Sequence, residues 1–117
     1  MPNFRQGDVV KVPFPYTDQS TRQFRPALVV SVGGIEEAHG LVWVVMITSA
    51  GNRGWPGDVE VNNLPMAGLP VASVIRTAKI ATIEAADAKT LGKVTRTVFR
   101  QVAARLEREL GLSARTR

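Results

Sequence analysis

Residues 7–31 read GDVVKVPFPYTDQSTRQFRPALVVS, and the order of residue types predicts strand, long polar loop, strand. Residues 7–13 form a short β-branched run that Pro13 and Pro15 end, because proline has no N–H to give to a ladder. Residues 27–32 are a continuous apolar run, the pattern of a buried strand. The polar segment between them is too long for a tight hairpin turn. The second strand opens on Arg25 beside Pro26, which sets a guanidinium next to a long loop where it can hold an anion.

Outward from this stretch, Gly33 and Gly34 break the second run and residues 33–40 read as a turn region containing His39. Residues 41–49 make a third run rich in Val, Ile and Trp, and the three runs together predict a buried antiparallel core. Three glycines, Pro56 and Asn52 make residues 50–57 a loop. Residues 58–61 alternate as a short strand with Val59 and Val61 on one face, residues 62–70 read as loop, and residues 71–76 and 79–83 as the last strands. The period then changes. Leu91, Val94, Val98, Val102, Leu106 and Leu110 recur at steps of three and four, which predicts an amphipathic helix with Gly92 near its start and Gly111 as its carboxyl cap. The fold class expected is mainly β (α+β): a small SH3-like β-barrel or curled sheet with a C-terminal helix packed outside it. Residues 1–112 are read as a single domain and residues 113–117 as a basic tail.

A chain of 117 residues, 44% hydrophobic, has apolar surface for one core. It contains no cysteine and one histidine, His39, so neither a disulfide framework nor a zinc centre is expected, and no cofactor is implied. No basic segment followed by an apolar core opens the chain, and no apolar run reaches the ~18 residues of a membrane span. A soluble, cytoplasmic protein without a membrane partner is the expectation. The net charge of +5 is unevenly placed: residues 89–117 carry eight basic and two acidic side chains, a net +6, and the first 88 residues a net −1. A basic helix face is more often solvated than bound to nucleic acid, so charge alone assigns no RNA partner.

Four blocks, GDVVKVPF at 7–14, RPALVVS at 25–31, ITS at 47–49 and GLPVASVIRTAK at 68–79, together resemble the MazF/PemK family of toxin endoribonucleases in their order and spacing. The resemblance implies a barrel of the CcdB/PemK type and a metal-independent enzyme of a toxin-antitoxin system. Such enzymes cut single-stranded RNA at short sequences, with the ribose 2′-hydroxyl as nucleophile. Arg25 matches the family's catalytic arginine. A guanidinium is too weak an acid to lose its proton and so cannot act as a base, while its forked cation suits phosphate oxygens, so the role implied is to stabilise charge on the phosphate. Thr48 matches the hydroxyl position beside it, with Ser49 as a possible stand-in, and Arg76 is placed to assist at the phosphate. In some members an aspartate proposed as general base stands two positions after this arginine. Here that position is Ala78, which cannot accept a proton, and Asp18, Glu36 or a water are the candidates left. His39 matches no motif and is read as a surface turn residue.

The loop from Tyr16 to Phe24 is similar to the family's mobile first loop, which covers the RNA path and responds to antitoxin. Tyr16 and Phe24 offer stacking faces, and Thr17, Asp18, Gln19 and Ser20 offer hydrogen bonds to base edges. Asn52 and Arg53 line the groove in the same reading, with Trp55 either beside them or serving as a packing anchor. The partners implied are single-stranded RNA, a second copy in a homodimer, and a cognate antitoxin with an acidic disordered tail. The competing reading is a CcdB-like gyrase poison without nuclease activity, or a degenerate member that only binds antitoxin.

Overall fold

The structure, a computed structural model, describes residues 3–13 and 23–112. The loop residues Tyr16, Thr17, Asp18, Gln19 and Ser20, and the tail 113–117, lie outside the described residues. Six strands form one antiparallel sheet: β1 (Asp8–Pro13), β2 (Phe24–Val29), β3 (Leu41–Ser49), β4 (Asp58–Glu60), β5 (Ser73–Glu84) and β6 (Lys89–Lys93), in the order β4-β5-β3-β2-β1-β6. Three helices accompany them: α1 (Gly33–His39), α2 (Leu64–Ala67) and α3 (Arg96–Glu109). The expected mainly-β sheet with its C-terminal helix is present. Of the two forms expected, barrel or sheet, the described residues give an open sheet, in which β4 and β6 do not pair with each other. Helices stand at the two edges instead, α3 against β4 and α2 against β6.

The apolar runs lack strict alternation because both faces of the sheet are buried. On one face Val9, Leu28, Val45, Ile47 and Ile75 pack against Val98 and Val102 of α3. On the other, Val10, Val12, Ala27, Val29, Val42, Val44 and Met46 pack together with Phe4. Leu28, Val45 and Ile75 are each fully buried. Leu28→Ala is expected to destabilise the domain by about 2–5 kcal/mol, read as a lower urea midpoint, because the cavity it leaves lies under α3.

Three readings are corrected. The helical stripe begins later than its period predicts, since residues 89–93 pair with β1 as β6 and α3 starts at Arg96. Thr95 caps α3, its Oγ1 accepting from the Val98 N–H at 3.3 Å. Gly92 belongs to β6, where a Cβ would collide with the Met66 carbonyl of α2, so its value is close approach of two backbones. Val94 still joins the core that α3 covers, whereas Leu91 and Leu110 are exposed. Residues 33–39 are a helix rather than a turn; Glu36 on it accepts the N–H groups of Asn3 and Phe4 at 2.9 and 3.0 Å, and His39 is exposed at its end. The two strands expected at residues 71–76 and 79–83 are one strand, β5, which begins at Ser73 and continues past an irregularity at residues 77–79. Gly111 does end α3 as expected, at φ 78°.

Candidate active site

Three neighbouring strands bring Arg25, Thr48 and Arg76 to one place. Arg25 is the second residue of β2, Thr48 the next-to-last of β3, and Arg76 stands in β5 opposite Met46 of β3. Together with Met46, Ile47 and Lys79 they line a small cavity of about 60 Å³. Arg25 is exposed and its Nη2 donates to Gln23 Oε1 at 3.2 Å. The Thr48 hydroxyl accepts from Asn52 Nδ2 at 2.9 Å, which leaves its own hydrogen to donate to an oxygen in the cavity. Ser49, weighed as a stand-in, does not line the cavity.

Arg76 is held differently from Arg25. Only 7% of it is exposed, and its Nε and Nη2 form a two-pronged pair with Asp58 at 3.1 and 2.9 Å. Nη2 also donates to the Asn52 carbonyl at 2.7 Å. Asn52 therefore links the two sides of the site, giving its amide to Thr48 and its carbonyl to Arg76. The Trp55 ring covers Arg76, 4.2 Å from Cζ, and lies 5.4 Å from Lys79 Nζ. Burial acts to raise the pKa of Asp58, but the hydrogen bonds and charge of Arg76 and the N–H groups of Trp55 and Gly54 outweigh it and hold the carboxyl below its ordinary range. The bond to Asp58 in turn raises Arg76 against its desolvation.

The remaining candidates separate in space. Arg53 reaches Glu60 at 3.9 Å on the open surface, away from the cavity. Glu36, a candidate base, is occupied with the N-terminal segment and lines no part of this cavity. Ala78 lies on another surface, a groove of about 740 Å³ shared with Trp43, Trp55, Ile80, Leu106 and Leu110. Asp58 and Lys79 are the residues to which sequence reasoning gave no role. Asp58 had one signal, a carboxylate at the start of a strand after a glycine-rich loop; Lys79 closes the fourth block, but its place in the cavity depends on an irregularity in β5.

Among the described residues the lining carries two guanidiniums, an ammonium and a hydroxyl, and no carboxylate, which suits a multiply charged oxyanion such as a phosphate. Among the described residues no group of three or more His, Asp or Glu is placed to hold a metal ion, and no helix is long and apolar enough to cross a membrane. An open antiparallel sheet with a terminal helix over one face, and a cationic cavity at the ends of its middle strands, defines a small α+β domain with a site of the right charge for an anion. The chain belongs to the PemK-like, MazF-like toxins of type II toxin-antitoxin systems, the family whose model matches residues 5–110.

Solved structures agree on the fold. A MazF from Deinococcus radiodurans superposes with a TM-score of 0.73 at 24% identity, covering 92% of this chain and 96% of that one. The MazE-MazF structure from the same organism gives 0.72 at 24% identity, with 92% and 95% covered. An endoribonuclease in complex with its cognate antitoxin, from a mycobacterial species, gives 0.71 at 21% identity, with 96% and 97% covered. Comparison with proteins of curated function yields no match.

Proposed function

We propose that this toxin is a metal-independent endoribonuclease that cuts single-stranded RNA by attack of the ribose 2′-hydroxyl on the adjacent phosphate. The observation that carries the reading is the gathering of Arg25, Thr48, Arg76 and Lys79 around one cavity, with no carboxylate among the described residues of its lining. Arg25, exposed and cationic, stabilises the charge that grows on the phosphate oxygens as phosphorus becomes five-coordinate. Thr48, held by Asn52, donates its hydroxyl hydrogen to the same group. Arg76 adds charge and keeps the Asn52–Thr48 arm in place. The chain segment carrying Tyr16, Thr17, Asp18, Gln19 and Ser20 supplies stacking and base-edge contacts to the RNA, with Asn52 and Arg53 contributing further contacts.

A cognate antitoxin with an acidic disordered tail and a second copy of the chain are the protein partners in this reading. Its support is the amount of apolar surface left open. Trp43, Trp55 and Ile80 are each about half exposed around the groove that Arg105 also borders. A gyrase-directed poison has no use for the cationic cavity, which places RNA cleavage first.

Purified protein incubated with a long single-stranded RNA in chelator is expected to give discrete fragments ending in cyclic phosphate. Uncut RNA would reject the nuclease reading. Ala78→Asp is expected to leave the cleavage rate within about twofold, because position 78 belongs to the apolar groove rather than to the cavity; a tenfold gain would show that a base had been missing there.

A further inference from the structure

The pairing of β5 with β3 contains a break. Arg76 stands opposite Met46, yet the next β3 residue, Val45, is opposite Ile80, so the register steps over Thr77, Ala78 and Lys79. In a regular strand Arg76 and Ala78 would share a face and Lys79 would lie on the other. The extra residues change this. Lys79 shares the cavity with Arg76, Arg25 and Thr48, while Ala78 lines the apolar groove with Ile80 and Trp43. Irregularities of this kind re-aim side chains beside functional sites. Thr77 secures the segment, its Oγ1 donating to the Gly57 carbonyl at 3.0 Å, and Trp55 covers both Arg76 and Lys79.

We propose, on the nuclease reading above, that Lys79 is the general acid of this centre. The groups lining the cavity leave little choice. Guanidiniums are poor proton donors, and an ammonium is the stronger acid by about two pK units or more. The Thr48 hydroxyl is weaker still as an acid, and among the described residues no histidine, tyrosine or carboxyl group lines the cavity. In the step itself the 2′-oxygen forms its bond to phosphorus and the bond from phosphorus to the 5′-oxygen breaks. The 2′-hydroxyl proton passes to water, the Lys79 ammonium gives a proton to the departing 5′-oxygen, and the neutral amine regains one from solvent. The products are a 2′,3′-cyclic phosphate and a free 5′-hydroxyl. The departing oxygen is thereby protonated in a site without a carboxylate at position 78.

The test uses a short RNA that spans one mapped cleavage site, made with either the natural 5′-oxygen or a bridging 5′-sulfur at the cut. A thiolate leaves without a proton. Wild type is expected to cut both. Lys79→Ala and Lys79→Arg are expected to lose about 10²–10⁴-fold on the oxygen substrate and to stay within about fivefold of wild type on the sulfur substrate. Lys79→Arg, which keeps the charge, is expected to retain the wild-type KM and lose kcat. Equal losses on both substrates would overturn the assignment of Lys79 alone and leave the nuclease reading standing. A wild type that cuts neither substrate would overturn both.

Discussion

Arg25→Ala is expected to reduce cleavage of single-stranded RNA by about 10²–10³-fold, the size of effect seen when one donor to a developing oxyanion is removed. The prediction follows from where the charges lie. Of the two guanidiniums at the cavity, Arg76 is buried and paired with Asp58, whereas Arg25 stands on the exposed end of β2. Arg25 is therefore the guanidinium able to adjust to the phosphate as its charge grows. Arg25→Lys is expected to recover only part of the loss, since an ammonium is a point charge and cannot present two parallel N–H groups to one phosphate. Thr48→Ala is expected to lower the rate in the same direction and by less, because it removes one neutral donor. The measurement is a single-turnover time course with each variant. Wild-type rates in both would remove these residues from the chemistry, even if the protein cut RNA.

The largest effect on stability is expected from Asp58→Ala, about 3–5 kcal/mol at pH 7, because it leaves the Arg76 charge buried without its partner. A loss of this size is a large part of the roughly 5–15 kcal/mol that holds an ordinary domain folded. Replacing both residues with apolar side chains of similar volume is expected to cost much less than the single change, since no buried charge is then stranded. The pH dependence has a definite sign. The Asp58 carboxyl is held below its ordinary value of 3.8, so its contribution is complete above that pH and is lost as pH falls through the lower folded value. The raised Arg76 titrates only far above the neutral range and adds no slope there. Urea unfolding of wild type and Asp58→Asn should therefore differ most near pH 7 and converge in strong acid. A gap that stays constant down to pH 2 would show that the ion pair is not its source. The variant also tests the site, because Arg76 holds the Asn52 carbonyl and Asn52 holds Thr48.

Much of this molecule was legible in order of residues. The runs at 7–13, 27–32 and 41–49 announced β1, β2 and β3 because apolar β-branched residues at those lengths bury well only as strands, and prolines and glycines marked their ends. Val98, Val102 and Leu106 announced α3 by period. Arg25, Thr48 and Arg76 were found by motif, and the three strands do bring them to one cavity. Period failed at residues 89–94, where Leu91 and Val94 kept helical spacing while the backbone paired with β1. Such pairing is a contact over about eighty residues of sequence, and local spacing carries no trace of it.

The sequence by itself determined the strand and helix faces, the absence of any cysteine chemistry, and the residue types from which a phosphate site can be assembled. Those properties follow from side-chain shape, polarity and acidity, which each residue carries wherever it stands. Tertiary structure alone decided which cation is sequestered and which is presented. Asp58 comes from β4 to pair with Arg76 on β5, and the break in the β3–β5 register puts Lys79 beside Arg25 and turns Ala78 to the groove. Register and cross-strand pairing arise only when distant segments share a sheet, so the place of Lys79 in the cavity is decided only there.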